Sequence, residues 1–150
     1  MSYIDNNLMN GEEVIYRAKL HWIVFFWPVV ILAVAIVFFS SGRAEDVGMG
    51  GTFLLVSMVL GLLSFINYKT SEFGVTNKRV IAKFGFIRRN SLEVLLNKVE
   101  GVQVNQGILG RILGYGSVAV SGTGGTRDPF PRISDPLKLR MRVQEQISSM

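Results

Sequence analysis

The chain of 150 residues carries 16 Lys and Arg against 11 Asp and Glu, a net charge of +5, and 49% of it is apolar. Cysteine is absent and histidine occurs once, which excludes a disulfide framework, a thiolate nucleophile, a zinc-thiolate site and any site built on two histidines. The mean hydropathy of +0.35 is high for a soluble domain and comes from uneven distribution: residues 20–42 and 47–68 hold no Lys, Arg, Asp or Glu, whereas residues 69–150 hold 13 of the 16 bases and six of the 11 acids.

In residues 1–19, Val14, Tyr16 and Ala18 alternate with Ile15, Arg17 and Lys19. That period suits a strand docking onto a later domain, and an interfacial helix is the competing reading. Residues 22–39 are nearly all apolar, and as a helix they span about 27 Å, close to the hydrocarbon core of a bilayer. The second uncharged window has its apolar centre at residues 53–66. Two such windows in so short a chain predict a transmembrane helical hairpin over residues 20–68, rather than a buried hairpin in a soluble core. A cleaved signal peptide is disfavoured by Asp5, Glu12 and Glu13 ahead of the first window and by the second span behind it.

His21, Trp22, Trp27 and Tyr68 are amphipathic rings placed to anchor the hairpin at the membrane interfaces. Arg17 and Lys19 precede the first span, and Lys69, Lys78 and Arg79 follow the second, while the intervening loop holds Arg43 beside Glu45 and Asp46. Positive flanks stay inside, so both termini are expected on the cytoplasmic side of a multi-pass membrane protein. In the second helix Ser57, Gly61 and Ser64 repeat at i, i+4, i+7. Small residues at that spacing admit close helix packing, against the first helix or against another subunit.

From residue 69 onward short apolar runs alternate with turn signals. Strands are predicted over residues 73–76, 79–84, 88–96, 99–106 and 116–121, with an edge strand at 129–133 because its two prolines exclude a central position. Asp135 stands as an N-cap before Pro136, and Leu139, Val143, Ile147 and Met150 form the apolar stripe of a terminal helix. The expected architecture is a membrane α-helical hairpin plus a mainly β domain over 69–150, a small barrel or sandwich plugged by its C-terminal helix.

The run Gly74-Val75-Thr76-Asn77-Lys78-Arg79-Val80-Ile81 resembles the opening hairpin of the bacterial pleckstrin-homology-like domains, of the membrane-attached type in YdbS- and YdbT-like proteins. Gly85-Phe86-Ile87-Arg88-Arg89, Asn97-Lys98-Val99-Glu100-Gly101-Val102-Gln103-Val104 and the glycine-punctuated run 107–116 are similar to its later segments, as are Gly11-Glu12-Glu13-Val14 and His21-Trp22 to its leader. The resemblance implies a PH-like fold, a strongly bent sheet or partly open barrel capped by a helix, without catalytic activity or cofactor.

Candidate chemistry is sparse. The glycines of 107–116 lack the Gly-Lys-Ser/Thr ending of a P-loop and the G-x-G-x-x-G spacing, so they suit tight bends; Ile108, Leu109, Ile112 and Leu113 among them suit a short helical turn that plugs the barrel or touches the bilayer. The acidic pairs Glu12–Glu13 and Glu45–Asp46 are sequence neighbours whose side chains diverge, and no nucleophile has a base beside it. The bases Lys69, Lys78, Arg79, Arg88 and Arg89, with Lys83, form a juxtamembrane cluster of the kind drawn to anionic headgroups. Composition and the sparse chemistry thus point to a non-enzymatic membrane module, and the resemblance implies that its membrane is the inner membrane of a bacterium. Its expected partners are the lipid bilayer and a protein, either another chain or its own copies as a homo-oligomer. Headgroup recognition and a place as accessory subunit of a larger membrane complex are the alternatives. No metal, small-molecule substrate or nucleic acid is expected.

Overall fold

A computed structural model describes residues 2–86, 89–126 and 129–150. The chain divides into two compact units, Trp22–Tyr68 by itself and Met1–His21 together with Lys69–Met150.

In the first of these, a 3-10 turn Trp22–Phe25 runs into helix α2 (Phe26–Ser40), and helix α3 (Ala44–Thr70) follows after residues 41–43 (a short helix α1, Tyr3–Asn6, belongs to the other unit). Trp22–Ser40 and Ala44–Thr70 are both long and apolar enough to cross a membrane, with mean hydropathies of 2.8 and 2.1. Pro28 sits in the first turn of α2, where its missing N–H breaks no helical bond. Glu45 and Asp46 fall in the first turn of α3, where they oppose the positive end of its dipole. Where α3 carries small residues it approaches α2. The Ser57 hydroxyl donates to the Pro28 carbonyl at 2.8 Å, a side chain on Gly61 would meet Pro28, and one on Gly50 would lie 3.3 Å from the Phe39 ring. Ser64 is half-buried, and Phe38 stacks on Phe53.

The other unit holds two four-stranded antiparallel sheets. The first has the order β1 (Val14–Ala18), β2 (Glu72–Thr76), β3 (Arg79–Phe84), β4 (Asn90–Leu95). The alternation in residues 14–18 is therefore that of an edge strand, with Ala18 opposite Phe73 and Val14 opposite Thr76. The second sheet is built on β5 (Val99–Asn105) and β6 (Tyr115–Gly122), with β7 (Gly125–Thr126) and β8 (Phe130–Ser134) both pairing β6. Helix α4 (Ile108–Leu113) connects β5 to β6, and α5 (Pro136–Ser148) closes the unit.

Phe73, Val75, Leu92, Val118, Val120, Ile133, Leu139 and Val143 are buried between sheets and α5, and Phe73 meets Phe130 edge to face across the layers. The outer face of the first sheet is covered too. Ile4, from the short helix α1 (Tyr3–Asn6), is buried over Gly74, whose missing side chain leaves the space. That cover explains why Val80, Ile81 and Ala82 are buried in succession where one-sided packing would alternate.

Two expectations change. Of the barrel and the sandwich expected, it is the barrel that falls: among the described residues the two sheets do not close into one. They join at one corner, where Leu20 bridges Ile133, the His21 N–H donates to the Arg132 carbonyl at 2.7 Å and the Ser134 N–H to the Lys19 carbonyl at 2.9 Å. At the other corner a 3-10 turn Leu96–Lys98 swings the chain between β4 and β5 without pairing them. Asp135 precedes α5 as expected but does not cap it with its side chain. Its backbone is left-handed, φ 48°, and its carbonyl takes the Lys138 and Leu139 N–H groups; the chain has to reverse sharply from β8, and aspartate tolerates that conformation.

Candidate functional site

The strand directions sort the basic residues. β1 ends, and β2 begins, where the chain leaves for and returns from the apolar helices; that end of the first sheet is its attachment end. β2 spans about 17 Å, so Lys78 in the turn after it and Arg79 at the start of β3 stand at the opposite, distal end. Lys19 and Lys69 flank the attachment end in the chain, and the pairings Glu72–Lys83 and Phe84–Asn90 bring Lys83 and Arg89 to it. Lys19, Lys69 and Arg89 are exposed there, and the Lys83 ammonium lies 4.7 Å from the centre of the Tyr3 ring. Glu72 is the acid among them, and it is engaged by the Ser2 hydroxyl and the Ile4 N–H. Arg88 lies outside the described residues.

The distal end is a closed polar knot. Arg79, expected among the headgroup-binding bases, is 5% exposed. Its guanidinium forks onto both Glu12 oxygens, at 2.9 and 3.1 Å, reaches Glu93 at 2.6 Å and donates to the Asn7 carbonyl. Glu12 also accepts from the Met9 N–H and the Thr76 hydroxyl, each at 2.7 Å. Burial by itself would push the Glu12 carboxyl up. The bonds from Arg79, Met9 and Thr76, with the guanidinium charge, outweigh it and hold the carboxyl below its ordinary value. Arg79 is thus a structural charge that pins the N-terminal segment to the β2–β3 turn. Lys78 beside it is exposed and donates to the Asn10 carbonyl at 2.7 Å.

Of the expected interface anchors, His21 is placed differently. It is 7% exposed, and its ring packs 5.3 Å from that of Tyr115 inside the β unit; the backbone bond to Arg132 draws it in. Trp22 and Trp27 are exposed and Tyr68 is half-buried against Phe25.

Two further features of this unit bear on function, the first not legible in the sequence and the second expected there as a helical turn that plugs a barrel or touches the bilayer. One is a cleft of about 740 Å³ where the end of β5 (Val104, Asn105), Gln106 and Arg111 face Asp135, Leu137 and Lys138 at the start of α5. It lies beside β5, which pairs β6 on one side and, among the described residues, has no strand on the other. The second is α4, whose apolar residues are turned outward: Ile108 is 82%, Leu109 64% and Ile112 74% exposed. Among the described residues no group of His, Asp and Glu side chains could hold a metal ion.

A protein-family model described as bacterial PH domain matches residues 19–148, a stretch that takes in both apolar helices. No curated protein and no solved structure matches the chain.

Proposed function

The chain belongs to the bacterial PH domain family, and from that premise we propose that it is a non-catalytic binding module, anchored by its helical hairpin at the cytoplasmic face of a bacterial inner membrane, that takes an extended protein segment on the free edge of β5. Domains of this kind are generally binding modules without catalysis. The anchoring rests on two helices of spanning length whose apolar side chains are mostly exposed, the reverse of what a soluble core helix shows. The pairing of β1 with β2 supports it further. Strands on either side of the hairpin can share one sheet only if both flanks lie on the same side of whatever the hairpin crosses. The excess of bases in those flanks makes that side the cytoplasm.

The observation that carries the binding role is the unpaired β5 edge beside the cleft. An edge strand offers a row of N–H and C=O groups to an added strand. The cleft gives that strand an apolar wall in Leu137 and Pro136 and charges of both signs in Arg111, Lys138 and Asp135. Tethering beside the partner's membrane raises the effective concentration for such a segment. The test places a photo-crosslinking residue at Leu137 in intact membranes. A discrete adduct, with another protein or a second copy of this chain, is expected, and a crosslinker at Gln144 on exposed α5 surface should not give it. Equal labelling at both positions would sink the cleft as the binding site.

A second reading has its own observation. Lys19, Lys69, Lys83 and Arg89 gather at the attachment end, which suits contact with anionic headgroups. Of the set expected from sequence, Lys69 and Arg89 stay in this reading, while Lys78 and Arg79 stand at the other end of the sheet.

A further inference from the structure

We propose that α4 is a membrane-dipping wedge: its apolar face enters the interfacial layer of the same bilayer that holds the hairpin. The inference rests on the anchoring reading above and adds a second contact to it. The helix is six residues long, and Ile108, Leu109, Ile112 and Leu113 are all exposed on it. Nothing about this outward display is slack. The Gly114 N–H closes onto the Gly110 carbonyl at 2.8 Å, Gly114 is left-handed at φ 81°, and the Gln106 amide donates to the Tyr115 carbonyl at 3.1 Å. A side chain at Gly110 would come within 2.5 Å of that Tyr115 carbonyl, so the helix is seated tightly on its inner side.

Position names the occupant. Tyr115, directly after α4, lies against His21, and His21 is the last residue of the β unit before the chain enters the first apolar helix. The wedge therefore stands beside the point at which the unit is tied to the bilayer. Its charges agree with a headgroup layer: Arg111 on α4 and Arg132, whose carbonyl holds His21, are exposed, with Asp135 as the acid nearby. A short helix with aliphatic side chains outward and an arginine at its flank is the composition of an interfacial segment, which sits about 5–10 Å into the boundary between headgroups and acyl chains.

The absence of cysteine makes the test direct. Ile112→Cys and, as a control on exposed β5, Gln103→Cys are introduced singly into the full chain and labelled with an environment-sensitive fluorophore. The protein is then reconstituted into phosphatidylethanolamine–phosphatidylglycerol vesicles. The label at 112 should emit to the blue of the label at 103, should be quenched by lipids brominated near the headgroup end of the acyl chain, and should lose about threefold or more of its quenching by aqueous iodide. Adding Ile108→Ser and Leu109→Ser should return it to water. A label at 112 as open to iodide as that at 103, in protein that floats with the vesicles, overturns the wedge and leaves the anchoring intact. Protection that vanishes as protein is diluted into excess lipid assigns α4 to a second copy instead. Protein that does not float overturns both.

Discussion

The two ends of the first sheet use the same residue types to opposite ends. At the distal end, acids brought from residues 12 and 93 saturate Arg79, and its charge is spent inside the fold. At the attachment end, Lys19, Lys69 and Arg89 are exposed, and the neighbouring α4 holds aliphatic side chains out of the core. A count of bases treats the ends alike; what separates them is burial, since Arg79 is drawn into the fold by its carboxylates while Lys19, Lys69 and Arg89 stay at the surface. Substitutions at both ends, in α4 and in the hairpin sharpen or break that contrast.

The largest effect belongs to the distal knot. Arg79→Ala strands a buried Glu12 and should destabilise the β unit by about 3–5 kcal/mol, read as a lowered midpoint of thermal unfolding in micelles. The knot also predicts a sign with pH. Because the folded state holds the Glu12 carboxyl below its ordinary value, its contribution is complete above the ordinary glutamate range and is lost as pH falls through the lowered value. Glu12→Gln should flatten that part of the stability profile; an unchanged acid limb would show that the knot does not couple to folding.

Gly110→Ala comes next. It drives a methyl group toward the Tyr115 carbonyl and should cost about 1–3 kcal/mol by the same measurement, despite the better helix former. A neutral outcome would mean that α4 is not seated as described. Ser57→Ala removes the bond to the Pro28 carbonyl inside the hairpin and should cost about 1 kcal/mol in a mixed-micelle unfolding titration. The smallest effects test the surface charges. Lys69→Gln with Arg89→Gln should weaken association of spin-labelled phosphatidylglycerol with the reconstituted protein by about 1 kcal/mol per charge, with the difference fading at high salt. Lys78→Gln should leave it unchanged, and equal effects at both ends would erase the contrast.

Local features of the fold were legible because they rest on local pattern. The two uncharged windows, the alternation in residues 14–18, the turn at Asn77-Lys78 and the edge placement of a strand with two prolines follow from neighbouring residues. Pairings across the chain were not. Nothing near Arg79 in sequence announces Glu12, and a fragment starting at Lys69 looks like a whole domain although it lacks β1. His21 reads as an anchor because Trp22 stands beside it, yet a backbone bond to Arg132 and the Tyr115 ring fix its place. The run 107–116 showed its glycines and its aliphatic residues plainly. That the latter face outward depends on Gly110 lying against Tyr115, a contact no periodicity encodes.

The hairpin is, topologically, the connection between two adjacent strands. During synthesis β1 leaves the ribosome first and waits, without a neighbour, until residues 72–76 emerge behind the two apolar helices. On the proposed anchoring, a chain in which one helix crosses and its sibling stalls would keep those partners on opposite sides of the lipid, so that the sheet would lack its outer strand and the knot at Arg79 would lack Glu12. Completing the β unit would thereby report correct insertion, since a misthreaded protein would carry a raw sheet edge and an orphaned buried arginine.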